Sequence, residues 1–541
     1  MLAVVPSATL HGLDGRLIRV EVDVAPGLPG FTVVGLADTA LKEARERVRG
    51  AIRNAGFVFP PRRITINLAP ADLRKAGASL DLAMALGILL GSEQVRVGRG
   101  TVAFIGELSL GGEVRPVPGI LPMVAALARS RIRHVVVGAA GIEEACLVDG
   151  VEVFGVTNLA EAASVVRGRL ARRTPVAMPR ISIVAGEDAV IHPRPAIEPA
   201  ESGGQVSAGN GVTIDRSVGP HVPDLAEVRG QLEARRALEI ALTGGHGLLL
   251  IGPPGVGKTL LAGTIPGLLP PLDDAAALAV TIVASAAGEG PLSALRRTPP
   301  FRAPHHTLSY AAMVGGGPQL APGEVTRADQ GVLFLDELAE FDRDVLESLR
   351  QPLESGDVLI ARAGRVIAFP ARFQLIAAMN PCPCGFSGSL PEGRCRCSIP
   401  LVERYDRRVS GPLRDRIDLW VTMPRVAPDT LVSDREPESS ATVGVRIAAA
   451  REVALERSGG LNGRLRGRAL RAECRLGGPA RHRLVTLAET EGATGRGTER
   501  ILRVARTIAD LAGCLDVRVE HLDEAAWYRS RIERAAGALA S

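Results

Sequence analysis

The chain has 541 residues, 46% hydrophobic and 23% charged, a globular balance that excludes a disordered or fibrous protein. At about 150 residues per domain this length predicts three or four domains, and no apolar run reaches the roughly 18 residues needed to cross a bilayer. The formal charge of +5 is too small a surplus to argue for nucleic acid by itself.

The opening MLAVVPSATLHGLDG carries no basic leader and no cleavage site, so a signal peptide is not expected. Residues 1 to about 170 read as alternating strands and helices. Ile18, Val20, Val22 and Val24 alternate with Arg19, Glu21 and Asp23, the period of a half-buried strand. After FTVVGL, Asp38 is placed to cap a helix whose apolar stripe is Leu41, Ala44, Val48 and Ile52. RITINLAP predicts another strand, Leu80 to Leu90 a second helix, and HVVVG and VEVFGV two short strands. Residues 171–221 are rich in Pro, Gly, Ser and Ala and predict a flexible linker. Strands and helices alternate again over 222–425, and 426–541 predicts helices, the best being GTERILRVARTIADLAG and HLDEAAWYRSRIERAAGAL.

The strand GLLLI runs directly into Gly252-Pro253-Pro254-Gly255-Val256-Gly257-Lys258-Thr259 and then, from Leu260, an apolar helix. This is G-x-x-x-x-G-K-[ST] in its strand–loop–helix context. Its glycines let backbone N–H groups close around phosphate oxygens. Lys258 is placed to neutralise β/γ-phosphates and Thr259 to hold Mg²⁺. Downstream, the apolar strand GVLFL ends in Asp336 and Glu337. Asp336 suits the metal beside the loop, and Glu337 suits the deprotonation of water, which predicts hydrolysis of ATP. A third strand, FQLIAAM, ends in Asn380, expected beside the acidic strand and near the γ-phosphate or lytic water.

Four of the seven cysteines, Cys382, Cys384, Cys395 and Cys397, form two C-x-C pairs separated by a loop. Such pairs can complete a tetrahedral Zn²⁺ site, although the spacing is tighter than the usual C-x₂-C; reduced, unligated thiols are the competing reading. Cysteine usage of this kind predicts a reducing compartment, by default the cytoplasm. Cys146, Cys474 and Cys514 stand alone and read as packing residues. DVLIARAGRVIAFPARF reads as a β-hairpin with Arg362 and Arg365 at its tip. Adjacent His305 and His306 would face opposite sides if they lay in a strand, which argues against a shared metal.

Several stretches together resemble the Mg-chelatase-like AAA+ ATPases of the ComM/YifB family: FRAPHHTLSYAAMVGGG, PGEVTRADQGVLFLDELAEF, AAMNPCPCG and RVSGPLRDRIDL, with GLPGFTVVGLADTALKEARERVRGAIRNAGF and RITINLAPADLRKAGASLDLAMALGIL in the first domain. The resemblance implies a multidomain α/β protein. Its parts would be an N-terminal ribosomal-S5-domain-2-like (Lon-type) α/β domain over 1–170, the linker, an AAA+ P-loop core over 222–425 with a Cys-rich insertion at 382–397, and a helical lid over 426–541. It implies a homo-hexamer in which Arg416 is the arginine finger reaching the neighbour's ATP. Arg496 would be the second-sensor arginine, with Arg500 a rival, and Asp224–Gln231 would flank the adenine. By the same resemblance the 362–365 hairpin points into the ring pore, where its arginines would contact DNA, single-stranded or branched. The expected activity is a helicase promoting branch migration of incoming DNA in natural transformation. An ATP-dependent protein remodeller and a Lon-like protease are the other readings. Lys75-Ala-Gly-Ala-Ser79 matches the stretch that carries the Lon nucleophile, but Leu121 stands where Lon supplies its activating lysine. A serine without a base is a poor nucleophile, so Ser79 is expected to cap or pack the following helix.

Overall fold

Alternating apolar residues at the start of the chain build a long hairpin, β1 (Leu2–His11) against β2 (Asp14–Ala25). The computed structural model describes all residues except 35–37, 71–77, 97, 99, 169–180, 184–190, 194–221, 318–319, 363–364, 389–393, 432–436, 491–493 and 539–541. Ile18, Val20, Val22 and Val24 all point into the core, as a period of two requires. The sheet continues through β3 (Gly30–Val34) and β4 (Arg63–Ala69) in the order β1-β2-β4-β3, with only the β3/β4 pair parallel. Helix α1 spans Asp38–Asn54 and buries Ala44, Val48, Ala51 and Ile52; Asp38 is its first residue rather than its cap.

Helix α2 (Asp81–Gly91) is buried on nearly every side. It packs on the first sheet and shares its core with a second, three-stranded parallel sheet. That sheet is β5 (Val102–Ile105), β6 (His134–Gly138) and β7 (Glu152–Val156). Bare Gly87 permits the approach, because a Cβ there would lie 2.4 Å from Val22 Cγ2. Helices α3 (Ile120–Arg129) and α4 (Leu159–Val166) complete this domain. Of the linker, two short strands, Ile181–Ile183 and Ile191–Pro193, are described, and they pair antiparallel.

The next body holds helix α5 (Leu232–Gly244), β8 (Leu248–Ile251), α6 (Lys258–Gly263), α7 (Asp274–Ala286), β9 (Phe301–Arg302), β10 (Val332–Leu335), the hairpin β11–β12 (Asp357–Arg362 and Arg365–Pro370), β13 (Gln374–Met379) and β14 (Leu419–Thr422). Five strands form one sheet in the order β9-β10-β13-β8-β14, every pair parallel. LLLI and VLFL are unbroken apolar runs because both faces of a parallel sheet are covered. All five strands therefore exit at one edge, and β13 lies between the strand of the Gly-rich loop and the acidic strand.

The C-terminal region is helical: α8 (Ser440–Ser458), α9 (Gly467–Cys474), α10 (Gly478–Thr490), α11 (Gly495–Leu511) and α12 (Val519–Ala538). Helix α11 buries Leu502, Val504, Ala505, Ile508 and Ala509 against α5 and α12. Polar groups fasten it to the entry edge of the sheet. His246 bridges Asp418 (2.9 Å) and Thr507 (2.8 Å), and Arg503 bonds Asp418 at 3.0 Å. Burial alone would raise the Asp418 carboxyl; Arg503 and His246 outweigh it and hold it below the ordinary range. Among the described residues no helix is long and apolar enough to cross a membrane.

The N-terminal domain docks on α7. Glu144 Oε1 accepts from the Leu121 N–H (2.9 Å) and from Ser285 Oγ (2.5 Å), while Leu278 joins the core around Leu121. Glu144→Ala would strand both buried donors and is expected to cost about 1–3 kcal/mol, read as a lower Tm. Burial raises the Glu144 carboxyl above its ordinary value. The two hydrogen bonds favour the carboxylate and only partly offset that burial, so the stability Glu144 lends the docked fold should be fullest below the ordinary glutamate range and be lost as pH rises through the raised value.

Candidate active site

The exit edge of the parallel sheet collects the chemistry. After Ile251 the chain turns through Gly252–Gly257, where Gly255 (φ 79°) and Gly257 (φ 93°) occupy the left-handed region that favours glycine. Lys258 opens α6 and is only 8% exposed. Its ammonium donates to the carbonyls of Gly252 (2.5 Å) and Pro253 (3.0 Å) and to Asn380 Oδ1 (3.0 Å). All three partners are neutral, and burial lowers the Lys258 pKa against the pull of Asp336 and Glu337. A buried cation surrounded by neutral oxygens is a demand for an anion, so the loop fits a phosphate group.

Thr259 Oγ1 donates to Asp336 Oδ2 at 2.6 Å. A hydroxyl and a carboxylate converging beside a phosphate-binding lysine form the donor set a magnesium ion prefers. The Leu260 side chain is 40% exposed and turns from the core. Asp336 Oδ1 accepts the N–H of Glu337 (2.9 Å). Glu337 itself has φ 52°, a left-handed conformation costing a non-glycine residue about 1–2 kcal/mol. That strain lifts its carboxylate away from the strand, leaving it 52% exposed. Gln231 also has φ 52° and reaches the same loop, donating to the carbonyls of Pro424 (2.7 Å) and Val256 (3.3 Å).

His306, for which the sequence suggests no catalytic role, lies here: its Nδ1 is 3.3 Å from Glu337 Oε2. The segment is not a strand, and the rings of His305 and His306 stand 4.1 Å apart, side by side rather than on opposite faces. The one signal in the sequence is the pair's position just before an apolar turn. Nothing local to it points 31 residues ahead to Glu337.

Arg416 and Arg496 are not at this edge. They line a cleft of about 680 Å³ with Arg372, Arg464, Arg500 and Arg503, at the ends where β8, β13 and β14 enter the sheet. A strand as short as β8 already spans about 13 Å, so neither arginine reaches the Lys258 of its own chain. Arg416 is ion-paired with Glu354 and donates to the Pro412 carbonyl at 2.5 Å. Burial and then the charges of Arg350 and Arg496 lower its pKa. Arg500 is the more buried rival, 3.7 Å from Asp415, and Arg496 is exposed.

The backbone register puts Arg362 opposite Arg365 at the end of the β11–β12 ladder, but their side chains lie outside the described residues. The turn at Gly12 in the N-terminal domain abuts this hairpin, where a Cβ would come within 2.9 Å of Ile367. Ser79 is 6% exposed and donates to the Ala8 carbonyl at 3.3 Å. It packs the helix start but does not cap it, since Leu80 holds the cap position without a side-chain bond. Lys75 lies outside the described residues. The sulfurs of Cys382, Cys384, Cys395 and Cys397 all lie within 4.8 Å of one another.

An all-parallel sheet of this order, with a phosphate loop, an acidic strand end and a polar strand end side by side, defines an AAA+-type nucleotide-binding protein. Residues 224–431 match the family described as magnesium chelatase, subunit ChlI, residues 20–141 that of subunit ChlI of Mg-chelatase, and residues 437–529 that of the ChlI C-terminal region. The chain is 39% identical to Competence protein ComM of Haemophilus influenzae over 98% of both chains. It is 39% identical to the uncharacterized protein YifB of Salmonella typhimurium over 98% of this chain and 97% of that one. The magnesium-chelatase 38 kDa subunit of Cereibacter sphaeroides is 28% identical over 39% of this chain and 57% of its own length. The chain belongs to the ComM/YifB family of magnesium-chelatase-related proteins.

Proposed function

We propose that this protein hydrolyses ATP to drive DNA through a ring of six identical chains, in the manner of a branch-migration helicase. The observation that carries the ATPase reading is Lys258, buried against neutral oxygens and flanked by Asp336 and Asn380 at one sheet edge. In this reading Lys258 and the loop N–H groups hold the β/γ-phosphates, and Thr259 and Asp336 hold magnesium. When bound, magnesium neutralises charge on the phosphate oxygens. Glu337 takes the proton of the attacking water, Asn380 orients the γ-phosphate, and His306 positions Glu337. Arg416, with Arg496 beside it, serves the site of the next chain, because its own is out of reach.

The DNA reading rests on the name and extent of the ComM match and on the hairpin that ends in Arg362 and Arg365. Six such tips would line a pore with positive charge for a phosphate backbone, in the cytoplasm. The test is ATP turnover and strand separation by the full-length protein on forked and duplex DNA. Forked DNA should stimulate both, and a ring-forming preparation that ignores it overturns the reading. The Arg362→Ala, Arg365→Ala double variant is expected to bind DNA at least about tenfold more weakly, with a shallower salt dependence. DNA-free ATP turnover serves as the control for an intact ring.

We read the first domain as a Lon-type fold without proteolytic chemistry. Ser79 Oγ is buried and engaged with Ala8, and Leu121 offers no base.

A further inference from the structure

Asn380 is followed at once by Pro381 and Cys382, so whatever fixes the cysteines also fixes the Asn380 amide. Cys382 is fully buried. Its sulfur lies 3.4 Å from that of Cys384 and 3.7 Å from that of Cys395, and the latter two are 3.6 Å apart. A disulfide would need about 2.05 Å. Four thiolates at about 2.3 Å from one zinc ion stand about 3.8 Å apart along the edges of a tetrahedron, close to the spacing found here. The surrounding backbone is arranged for negative sulfur. The Ser387 N–H points at Cys382 Sγ (3.3 Å), and the Phe386 and Arg396 N–H groups point at Cys384. Gly385, at φ 83°, makes the tight turn that allows this, its N–H closing on the Cys382 carbonyl at 2.9 Å.

The same turn leans on the phosphate loop. A Cβ on Gly385 would lie 2.7 Å from Pro254 Cδ and 3.9 Å from Asn380 Cγ. Next to it, the Phe386 ring lies 4.0 Å from the Arg394 guanidinium and 5.7 Å from that of Arg425. Arg425 directly follows Pro424, whose carbonyl accepts from Gln231. The cysteine knuckle thereby adjoins the segments that follow β8, β13 and β14.

We propose that Cys382, Cys384, Cys395 and Cys397 hold one structural zinc ion, and that the zinc knuckle is the wall that keeps Asn380 and Pro254 in place at the nucleotide site. The coupling rests on the nucleotide reading above; the metal assignment does not. A tetrahedral set of four thiolates suits zinc or an iron–sulfur centre, and sulfurs this close together enclose one ion rather than a cluster. Its bonds supply folding free energy to a loop that has little core of its own. Asn380 and Pro254 are therefore positioned by the metal, and the four cysteines act through them, not on the reacting atoms.

The experiment uses the full-length protein purified without chelator. Metal content is measured by mass spectrometry, cobalt substitution is followed by thiolate-to-metal absorption, and affinity is measured for a fluorescent, non-hydrolysable ATP analogue. The wild type is expected to hold one zinc per chain. The Cys395→Ser, Cys397→Ser double variant, which spares the buried Cys382, should lose the metal. Its affinity for the analogue should weaken about tenfold, the loss of one charge-assisted hydrogen bond at about 1.4 kcal/mol. Gly385→Ala should retain zinc yet weaken the analogue similarly by pressing on Pro254. A wild type that neither carries zinc nor takes up cobalt overturns the metal site. A metal-free but folded double variant with wild-type affinity overturns the coupling. A zinc-loaded wild type that binds no ATP analogue overturns the nucleotide reading and the coupling with it, and leaves the metal assignment standing.

Discussion

Glu337→Gln is expected to reduce ATP turnover by about a thousandfold, the middle of the range for removing a positioned general base, while ATP binding persists. The substitution keeps the shape of the side chain and the strained backbone, because Gln meets the same cost at φ 52°. It leaves Lys258, Thr259, Asp336 and Asn380 untouched, so the contacts assigned to phosphate and magnesium remain. What it removes is the exposed carboxylate that directly follows Asp336 at this edge, 52% open to water. Phosphate release gives the turnover, and binding of a labelled nucleotide gives the affinity. Turnover within tenfold of wild type would assign the base elsewhere. The His306→Ala companion separates positioning from chemistry: it should lower the rate less, with rescue by Asn, which keeps a hydrogen-bond donor toward Glu337.

Much of this edge is legible in the sequence for one reason: its parts are local. Each motif is an apolar strand followed at once by its functional residue. Parallel sheets force such strands to exit together, so the pattern of apolar runs and polar ends by itself places Lys258, Asp336 and Asn380 on one rim. Groups that meet through tertiary packing are not legible. His306 finds Glu337 only because the irregular turn after β9 folds back across the end of β10. Gly385 reaches Pro254 across a long stretch of chain that no local pattern bridges. The grouping of Arg416 with Arg496 depends on α11 docking to the entry edge through His246, Asp418 and Arg503, contacts that span up to 261 residues. The histidine pair shows the limit of period-based reasoning: alternation in a strand says nothing about residues in a turn.

That grouping carries the second large expectation. In the proposed ring, a phosphate loop and arginines at opposite edges of one sheet leave each site to be completed by a head-to-tail neighbour, and head-to-tail contacts can close into rings. Arg416→Ala should therefore lower turnover by about a thousandfold, as loss of an arginine finger does, and Lys258→Ala should do so by removing the phosphate contact. Mixed in equal amounts and allowed to exchange, the two inactive proteins should regain activity. By random assembly about a quarter of the head-to-tail junctions then pair an intact Lys258 with an intact Arg416 from the next chain. Glu354, which neutralises Arg416 within one chain, must release it at the junction, so Glu354→Gln should not impair this recovery. Phosphate release from the mixture is the measurement. A mixture as inactive as its components, under conditions where both form rings, would mean that the arginine cleft serves something other than the neighbour's ATP.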